Sequence, residues 1–177
     1  LFPAIPFVYY GNEIGQKDEP GLGGQDVRLR FPFDWSAAEA QMNDSASLLS
    51  LHRKLTALRA DHPALRKGQR ILFTNLSSGV SGDSLPQTGA WALVHGSDVL
   101  ICVVNLSLEE IPSVAINLEP LFEQTGMTAS SINMLTPVFT ELSVPLSPAH
   151  ASVSAGMVAE FKNLGAQDVQ IYSIKTK

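Results

Sequence analysis

Acidic side chains are the residues with which this sequence could perform acid–base or nucleophilic chemistry. The chain has 17 aspartates and glutamates, and Glu13, which follows an apolar run, and the pairs Asp18-Glu19 and Glu109-Glu110 stand out among them. A carboxylate nucleophile and a carboxylic acid that donates a proton must lie about 5 Å apart. Asp18-Glu19 directly precede a proline and Glu109-Glu110 are neighbours in a predicted turn, so neither pair suits that geometry. Neither pair is therefore a good candidate for two cooperating catalytic carboxylates.

Metal ligands are equally sparse in the sequence. The pair Asp18-Glu19 offers too few oxygen atoms for a calcium site, and the four histidines show no ligand spacing, so no zinc or iron site is expected. The single cysteine, Cys102, lies in an apolar run, which predicts a buried thiol that packs as a small hydrophobic group. We expect no cofactor. The histidines are His52, His62, His95 and His150.

Composition excludes several classes of partner. The chain of 177 residues is 45% hydrophobic and 16% charged, which suits a globular protein of one domain or parts of two. Its net charge of −5 and the lack of a basic cluster make nucleic acid an unfavourable partner. No run of 18 apolar residues occurs, so no membrane span is expected, and no signal-peptide pattern is present.

The first residues predict a strand that is covered on both faces. Residues 5–10 are apolar at both odd and even positions, so both faces of a strand would be apolar, as in the parallel sheet of an α/β domain. Such a strand requires parallel neighbours that are joined by helical crossovers of at least about ten residues. The remaining sequence shows no strand–helix–strand alternation, so we expect the neighbours to belong to a larger α/β domain that this chain only completes. Residues 11–35 then form a long aperiodic connection, a type that is usually functional.

Two helices are predicted after that connection. Ser36-Ala37-Ala38-Glu39 has the form of a capping box, in which Ser36 caps a helical turn. A longer helix is predicted to begin at Asp44 or Ser45 and to end before Pro63, because a proline restricts the residue ahead of it. Gly68 follows and marks the expected domain boundary. The helix carries leucines at three- and four-residue steps, Leu48, Leu51, Leu55 and Leu58.

Short β-type runs separated by turns make up the rest of the chain. Gly96-Ser97-Asp98 predicts a tight hairpin, and residues 77–89 a polar loop. This spacing favours an antiparallel sandwich or a barrel-like module. The predicted strands are residues 70–74, 90–95, 99–106, 113–118, 132–135, 158–161 and 169–174.

Three sequence blocks carry a specific resemblance. "LFPAIPFVYYGNEIG", "DVRLRFPFDW" and "LLSLHRKLTALRADHPALRKG" follow one another within about the first 68 residues. In order and spacing they resemble the end of the catalytic domain in the α-amylase family of glycoside hydrolases, family 13. Asn12 departs from the acid that is usual there, Ala4 replaces a common glycine, and Phe33 stands where methionine is frequent.

The resemblance implies an α+β chain with two parts. Residues 1–68 would be the end of a (β/α)8 catalytic barrel, with residues 7–10 as its eighth strand and the helix near residues 45–60 as its eighth helix. Residues 69–177 would be the C-terminal β-sandwich domain. The N-terminal part of the same barrel would be the partner of this chain, and calcium, which accompanies many members of the family, would be bound by segments outside it.

The resemblance also implies a substrate and a place for it. The family hydrolyses or transfers α-glucosidic bonds by a retaining two-carboxylate mechanism, and its three acids would lie ahead of Leu1, so the chain alone should be inert. Candidates for binding an α-glucan are Tyr10, Glu13, Arg30 and Trp35, at the barrel rim where such enzymes keep their sites. Each has an alternative role: Glu13 in fixing the loop, Arg30 in an ion pair, and Tyr10 and Trp35 in the core.

Three functions are therefore compatible with the sequence. The first is the C-terminal part of an α-amylase-type hydrolase that acts on α-1,4-glucans such as starch. The second is part of a family transglycosylase or isomerase resembling trehalose synthase, or of an α-glucosidase. The third is a noncatalytic β module that binds glucan or a partner. The third would need exposed aromatics, whereas we predict that the aromatics of the β region form its core: Phe73, Trp91, Phe122, Phe139, Phe161 and Tyr172.

Overall fold

The chain forms two compact units. The computed structural model describes residues 4–17, 31–74, 76–140, 151–153 and 157–176. The first unit is Ile5–Asp61, and the second begins at His62 and also includes Ala4. The predicted domain boundary near Gly68 stays a prediction. None of the helices in the described ranges has both the length and the apolar character needed to cross a membrane.

Two helices and one short turn make up most of the described first unit. Helix α1 is Trp35–Met42, helix α2 is Leu48–Asp61, and a 3₁₀ turn spans Asn12–Ile14. The two helices pack against each other, and both contact the 3₁₀ turn. The 3₁₀ turn and the start of α1 therefore lie at the two ends of the long connection, residues 11–35.

The leucine spacing predicts helix α2 correctly, with a later start. The helix begins at Leu48 because the Ser47 hydroxyl accepts a hydrogen bond from the Ser50 N–H at 3.2 Å and caps the first turn. It ends before Pro63 as predicted. Leu58 is buried, whereas Leu48 is 38% exposed, so the leucine face of the helix is covered only in part.

The predicted strand at residues 5–10 is not formed. Residues 5–9 take part in no strand, and Ile5, Phe7 and Val8 are 96%, 90% and 55% exposed. A strand requires its backbone N–H and C=O groups to pair with a neighbouring strand. The described residues supply no such neighbour for this segment. Residues 5–9 therefore form no strand in this chain, and their apolar side chains are exposed. The strand within a larger barrel stays a prediction.

The second unit consists of two antiparallel sheets, in agreement with the predicted antiparallel β region. Its strands are β1 Gln69–Phe73, β2 Ser77–Ser78, β3 Thr88–His95, β4 Asp98–Asn105, β5 Ile111–Asn117, β6 Ile132–Thr140, β7 Ala151–Val153, β8 Val158–Leu164 and β9 Val169–Thr176. The first sheet has the order β1-β3-β4-β9-β6 and the second has the order β2-β5-β8-β7. All neighbouring strands pair in the antiparallel sense.

One apolar core lies between the two sheets. The first sheet contributes Ile71, Ile101 and Tyr172, and the second sheet contributes Val114 and Phe161, among other residues. The rings of Phe161 and Tyr172 meet across the layers with centroids 5.1 Å apart. The two sheets are therefore two layers around a single core, the usual arrangement for sheets that are apolar on one face.

The centre of the first sheet is also buried on its opposite face. Along β4 the side chains alternate between the shared core and the other face, and Leu100 and Cys102 on that other face are completely buried. Helix α3, Ala64–Lys67, packs against β3 and β4, and its Ala64 and Leu65 are buried as well. Burial on both faces explains why β4 reads as a continuous apolar run.

The predicted hairpin joins β3 to β4. His95 pairs with Asp98 across a two-residue loop, and Gly96 has a φ of 59°, a left-handed conformation that favours glycine. Asp98 also receives two hydrogen bonds from the segment that enters α3. Its Oδ1 lies 2.9 Å from His62 Nδ1, and its Oδ2 accepts from the Ala64 N–H at 2.9 Å. Residues far apart in sequence thus fix the hairpin to the start of α3.

Five of the elements described in the second unit are absent from the prediction. They are strands β2 and β7, which have two and three residues, helix α3, helix α4, Glu119–Thr125, and a 3₁₀ turn, Ala129–Ser131. Helix α4 has a proline near its start and ends at Gly126, whose φ is 72°, so the usual signals at both ends were present in the sequence. Strand β6 continues past its predicted end, with an irregular register after Pro137, which is tolerated because β6 lies at a sheet edge.

A buried polar network closes one end of the second unit. Tyr172 donates to Gln170 Oε1 at 3.0 Å, and Gln170 Nε2 donates to Asp168 Oδ2 at 3.3 Å and to the Asn163 carbonyl at 2.9 Å. Burial raises the pKa of the Tyr172 hydroxyl, and the charge of Asp168 raises it further. The hydroxyl therefore stays protonated and acts as a hydrogen-bond donor.

The central position of β4 leads to a stability prediction. Ile101→Ala removes a fully buried side chain from the shared core, and we expect it to lower the free energy of unfolding by about 2–5 kcal/mol. Leu72→Ala, at a 55% exposed position of β1, is the matched control and should change it by about 0.5 kcal/mol or less. Urea titration followed by circular dichroism measures both. Equal effects of the two substitutions would contradict this account of the core.

The burial of Cys102 leads to a reactivity prediction. Burial raises the pKa of this thiol to about 12, so almost no reactive thiolate exists at neutral or mildly alkaline pH. We expect a thiol reagent such as dithionitrobenzoate to label the native protein very slowly and the urea-unfolded protein rapidly. Cys102→Ser is the control for non-specific reaction. Labelling of the folded protein at the rate of the unfolded chain would be inconsistent with the observed burial.

Candidate functional site

The candidate binding residues lie at the two ends of the long connection, which we call the rim loop, residues 11–35. Tyr10 directly precedes it, Glu13 lies in its first limb, residues 11–17, and Trp35 ends its second limb, residues 31–35. Arg30 lies outside the described residues. The described limbs both belong to the first unit, so three of the four candidates can be placed.

Tyr10 uses its hydroxyl to hold the second limb. The hydroxyl donates a hydrogen bond to the Phe31 carbonyl at 2.9 Å. Its ring is half-exposed and contacts the ring of Tyr9 with centroids 4.6 Å apart. This geometry assigns Tyr10 a structural contact while leaving part of an aromatic surface open to a ligand.

Glu13 is enclosed within its turn. Gly11 and Gly15 bracket the 3₁₀ turn with φ angles of 88° and 66°, which allow the chain to reverse tightly on both sides. Glu13 Oε2 is shielded from solvent and accepts no hydrogen bond from the residues that the structure describes. Among the described residues, this carboxylate oxygen therefore has no hydrogen-bond donor. The neighbouring Asn12 is exposed.

Trp35 presents an open aromatic surface. It is the first residue of α1 and is 72% exposed, and Phe33 contacts it edge-on with ring centroids 4.7 Å apart. Trp35 is therefore exposed in this chain, and both its core role and its binding role stay predictions. An exposed ring that a neighbour holds in place is suited to stacking on the apolar face of a sugar.

The cap of helix α1 differs from the sequence prediction. Asp34, and not Ser36, is the capping residue: its Oδ1 accepts a hydrogen bond from the Ala37 N–H at 2.9 Å. Ser36 lies inside the first turn, so the predicted capping box is wrong. Aspartate is a favourable cap because its side chain accepts a hydrogen bond and its charge also interacts favourably with the N-terminal end of the helix dipole.

Two glutamines that the sequence analysis did not single out hold the loop together. Gln16 Nε2 donates to the Pro32 carbonyl at 2.9 Å, and Gln16 Oε1 accepts from the Asp34 N–H at 3.1 Å. Gln41 Nε2 donates to the Ile14 carbonyl at 2.9 Å, and its Oε1 accepts from the Leu49 N–H at 3.1 Å. No motif marks these residues, because each bond joins positions distant in sequence.

A shallow depression of about 380 Å³ lies between the two limbs. Its walls combine apolar surface from Ile14, Phe31 and Pro32 with the charged side chains of Lys17 and Asp34. The described residues contain no group of three or more histidine, cysteine or acidic side chains arranged to hold a metal ion.

The aromatic residues of the second unit do not form a second candidate site. All six that were predicted to be core residues are buried, with exposed fractions of 9% or less, which confirms the prediction. Glucan-binding surfaces stack sugars on exposed rings, and these rings are enclosed. They are Phe73, Trp91, Phe122, Phe139, Phe161 and Tyr172.

Several solved structures with a similar fold are those of enzymes of the α-amylase family. The chain is similar to the alpha-amylase from H. orenii with a TM-score of 0.65 and 17% identity, over 98% of this chain and 33% of that one. It is also similar to the debranching enzyme of Nostoc punctiforme with a TM-score of 0.59 and 19% identity, over 97% of this chain and 28% of that one. At these identities the similarity concerns the fold, a mixed α/β chain with antiparallel sheets.

A curated relative is similar to the chain in sequence as well. The chain is 31% identical over 138 residues to the trehalose synthase/amylase TreS of Mycobacterium tuberculosis, covering 59% of this chain and 22% of that protein. No family model matches the chain. The chain spans about a fifth of the length of the curated relatives that it matches. Sequence and fold together confirm that it resembles the C-terminal portion of enzymes of the α-amylase family.

The observed cap leads to a prediction for α1. Asp34→Ala removes the acceptor for the Ala37 N–H, and we expect it to destabilise the helix by about 0.5–2 kcal/mol. Asp34→Asn keeps an acceptor and should cost less. Ser36→Ala is the control and should have almost no effect. Hydrogen exchange of the Ala37 amide measures the difference, and a larger effect at Ser36 would restore the capping box of the sequence analysis.

Proposed function

We propose that the chain is the C-terminal part of an α-amylase-type glycoside hydrolase that acts on α-1,4-glucans such as starch and maltooligosaccharides. The observation that carries the proposal is the 31% identity to a trehalose synthase/amylase. The order of the three family-like blocks supports it further. The bond cleavage would follow the retaining route, with one carboxylate as nucleophile and one carboxylic acid as proton donor.

In this proposal the first unit completes a (β/α)8 barrel. Residues 7–10 would be the eighth strand and helix α2 the eighth helix, within a domain remnant at residues 1–68. The exposed side chains of Ile5, Phe7 and Val8 support this assignment, because a barrel strand has apolar neighbours on both faces. Residues 69–177 would be the C-terminal β-sandwich domain. The partner of the chain would then be the N-terminal part of the same barrel.

The binding residues in this proposal are Tyr10, Glu13, Arg30 and Trp35, whereas the catalytic acids would lie ahead of Leu1. Trp35 offers the clearest support, because its exposed and buttressed ring could stack on a sugar. Glu13 lies in the first limb, in the turn that Gly11 and Gly15 bracket. Arg30 could donate two parallel hydrogen bonds to sugar hydroxyls. No cofactor takes part, and any calcium of the whole enzyme would be held by other segments.

A second candidate is a transglycosylase or isomerase of the same family, resembling trehalose synthase, or an α-glucosidase. The name of the curated relative combines trehalose synthase and amylase. Its similarity therefore supports the hydrolase proposal and the isomerase proposal equally. A noncatalytic β module that binds glucan or a partner is the third candidate. The burial of its six aromatic residues argues against direct glucan binding by the second unit.

Two assays test the proposal. The 177-residue chain incubated with soluble starch should release no reducing sugar, because the catalytic acids are proposed to lie elsewhere. The natural protein that carries this sequence should release reducing ends from maltoheptaose, and Trp35→Ala should weaken its apparent affinity for maltoheptaose about tenfold, because stacking on one ring is lost. Trp91→Phe is the aromatic control at a buried position.

Distinct outcomes separate the candidates. Conversion of maltose to trehalose without a net gain of reducing ends would favour the isomerase. Turnover by the 177-residue chain alone would show that the acids are inside it. Absence of any reaction by the natural protein would favour the noncatalytic module.

A further inference from the structure

The side-chain amide of Gln16 joins the two described limbs of the rim loop. Its Nε2 donates to the carbonyl of Pro32 at 2.9 Å, and its Oε1 accepts from the N–H of Asp34 at 3.1 Å. The two partners lie two residues apart on the second limb. They are the groups that an adjacent β-strand would have paired with, so one planar amide replaces a strand at this point.

The first limb is shaped to hold this side chain. The N–H of Gln16 donates to the Gly11 carbonyl at 2.9 Å, which closes the 3₁₀ turn beneath the amide. A Cβ at Gly11 would lie 3.0 Å from both Cβ and Oε1 of Gln16, and the φ of 88° at Gly11 also favours glycine. Any larger residue at position 11 would therefore push the glutamine out of place.

The amide fixes the backbone next to one candidate binding residue, because Asp34 directly precedes Trp35. Asp34 also caps α1 through the Ala37 N–H, so the bond from its own N–H links Gln16 to the start of that helix. Displacement of the second limb would therefore move Trp35, the first residue of α1.

We propose that Gln16 is the positioning residue of the rim loop: its amide sets the separation of the two described limbs and thereby orients Trp35 for glucan binding. The statement about glucan rests on the proposed function, whereas the statement about the limbs does not. Gln16 touches no substrate in this role, and it acts only through the backbone of Pro32 and Asp34.

Only a group with one donor and one acceptor can make both bonds, which gives a direct test. Gln16→Leu removes both. Gln16→Glu keeps an acceptor for the Asp34 N–H, but its ionised carboxylate cannot donate to the Pro32 carbonyl. Once protonated, the substituted carboxyl group again has one donor and one acceptor. Among the described residues, the charged side chains around this position are Lys17 and Asp34, which line the depression, and Glu13 in the adjoining turn.

The experiment measures two nuclear magnetic resonance signals in the 177-residue chain. Protection of the Asp34 amide from hydrogen exchange reports the bond to Oε1, and the ¹³C shift of the Pro32 carbonyl reports the bond from Nε2. In Gln16→Leu we expect Asp34 protection to fall about tenfold, as for the loss of one net hydrogen bond. Gln87→Leu, the same change at an exposed loop position of the second unit, should leave both signals unchanged.

The Gln16→Glu variant supplies the pH test. Its Pro32 shift should differ from wild type at neutral pH and return to the wild-type value as the pH falls through the pKa of the new carboxyl group. That pKa should lie above the ordinary value of about 4.3, because the site favours the neutral form. Wild type and Gln16→Leu carry the same neighbouring charges but lack the new carboxyl group, so the transition assigned to that group is the part of the pH dependence that occurs only in Gln16→Glu.

The outcomes are separable from the proposed function. Unchanged Asp34 protection in Gln16→Leu, or a Pro32 shift in Gln16→Glu that ignores pH, would overturn the positioning role whatever the activity of the protein. Failure of the natural protein to act on maltoheptaose would overturn the proposed function and leave the measured bridge between the limbs intact.

Discussion

The second unit depends on the complete enclosure of strand β4. The strand is hydrogen-bonded on both edges, to β3 and to β9, and its residues 99–103 are buried on both faces. Apolar burial supplies the main favourable free energy of folding, but it requires every buried backbone group to find a partner. Two paired edges satisfy that requirement. The outer strands, helix α3 and the polar network around Asp168 are arranged around a strand that already has all its partners.

The first unit meets the same requirement by different means. Its rim loop has no strand ladder among the described residues, and side-chain amides take over the pairing of backbone groups. Gln16 serves Pro32 and Asp34, and Gln41 serves Ile14 and a residue of α2. This organisation holds a loop in a defined path while its aromatic residues stay at the surface. A binding rim needs that combination, because ligands contact side chains on a surface whose backbone must not shift.

Local patterns in the sequence were sufficient for most elements of the second unit and for helix α2. Alternating apolar runs and Gly96 marked strands and a hairpin, because these signals depend on neighbouring residues. The failures occurred where a distant partner decides the outcome. The strand at residues 5–10 needs neighbours that the described chain does not supply, and Asp34 displaced Ser36 as a cap. The contacts of Gln16 and of His62 with Asp98 join residues that no local window contains. Within the candidate site, the family resemblance indicated Trp35 and Glu13, but no local signal indicated Gln16, whose amide joins the two limbs.

The two tryptophans of the chain lie in different units and in opposite surroundings. Trp35 opens α1 with 72% of its surface exposed, whereas Trp91 on β3 is 9% exposed and pairs with Cys102 across the sheet. Their fluorescence should therefore separate by wavelength and by quenching with iodide. Each unit thus contains its own intrinsic optical probe, and the rim and the β core can be followed independently in one unlabelled sample.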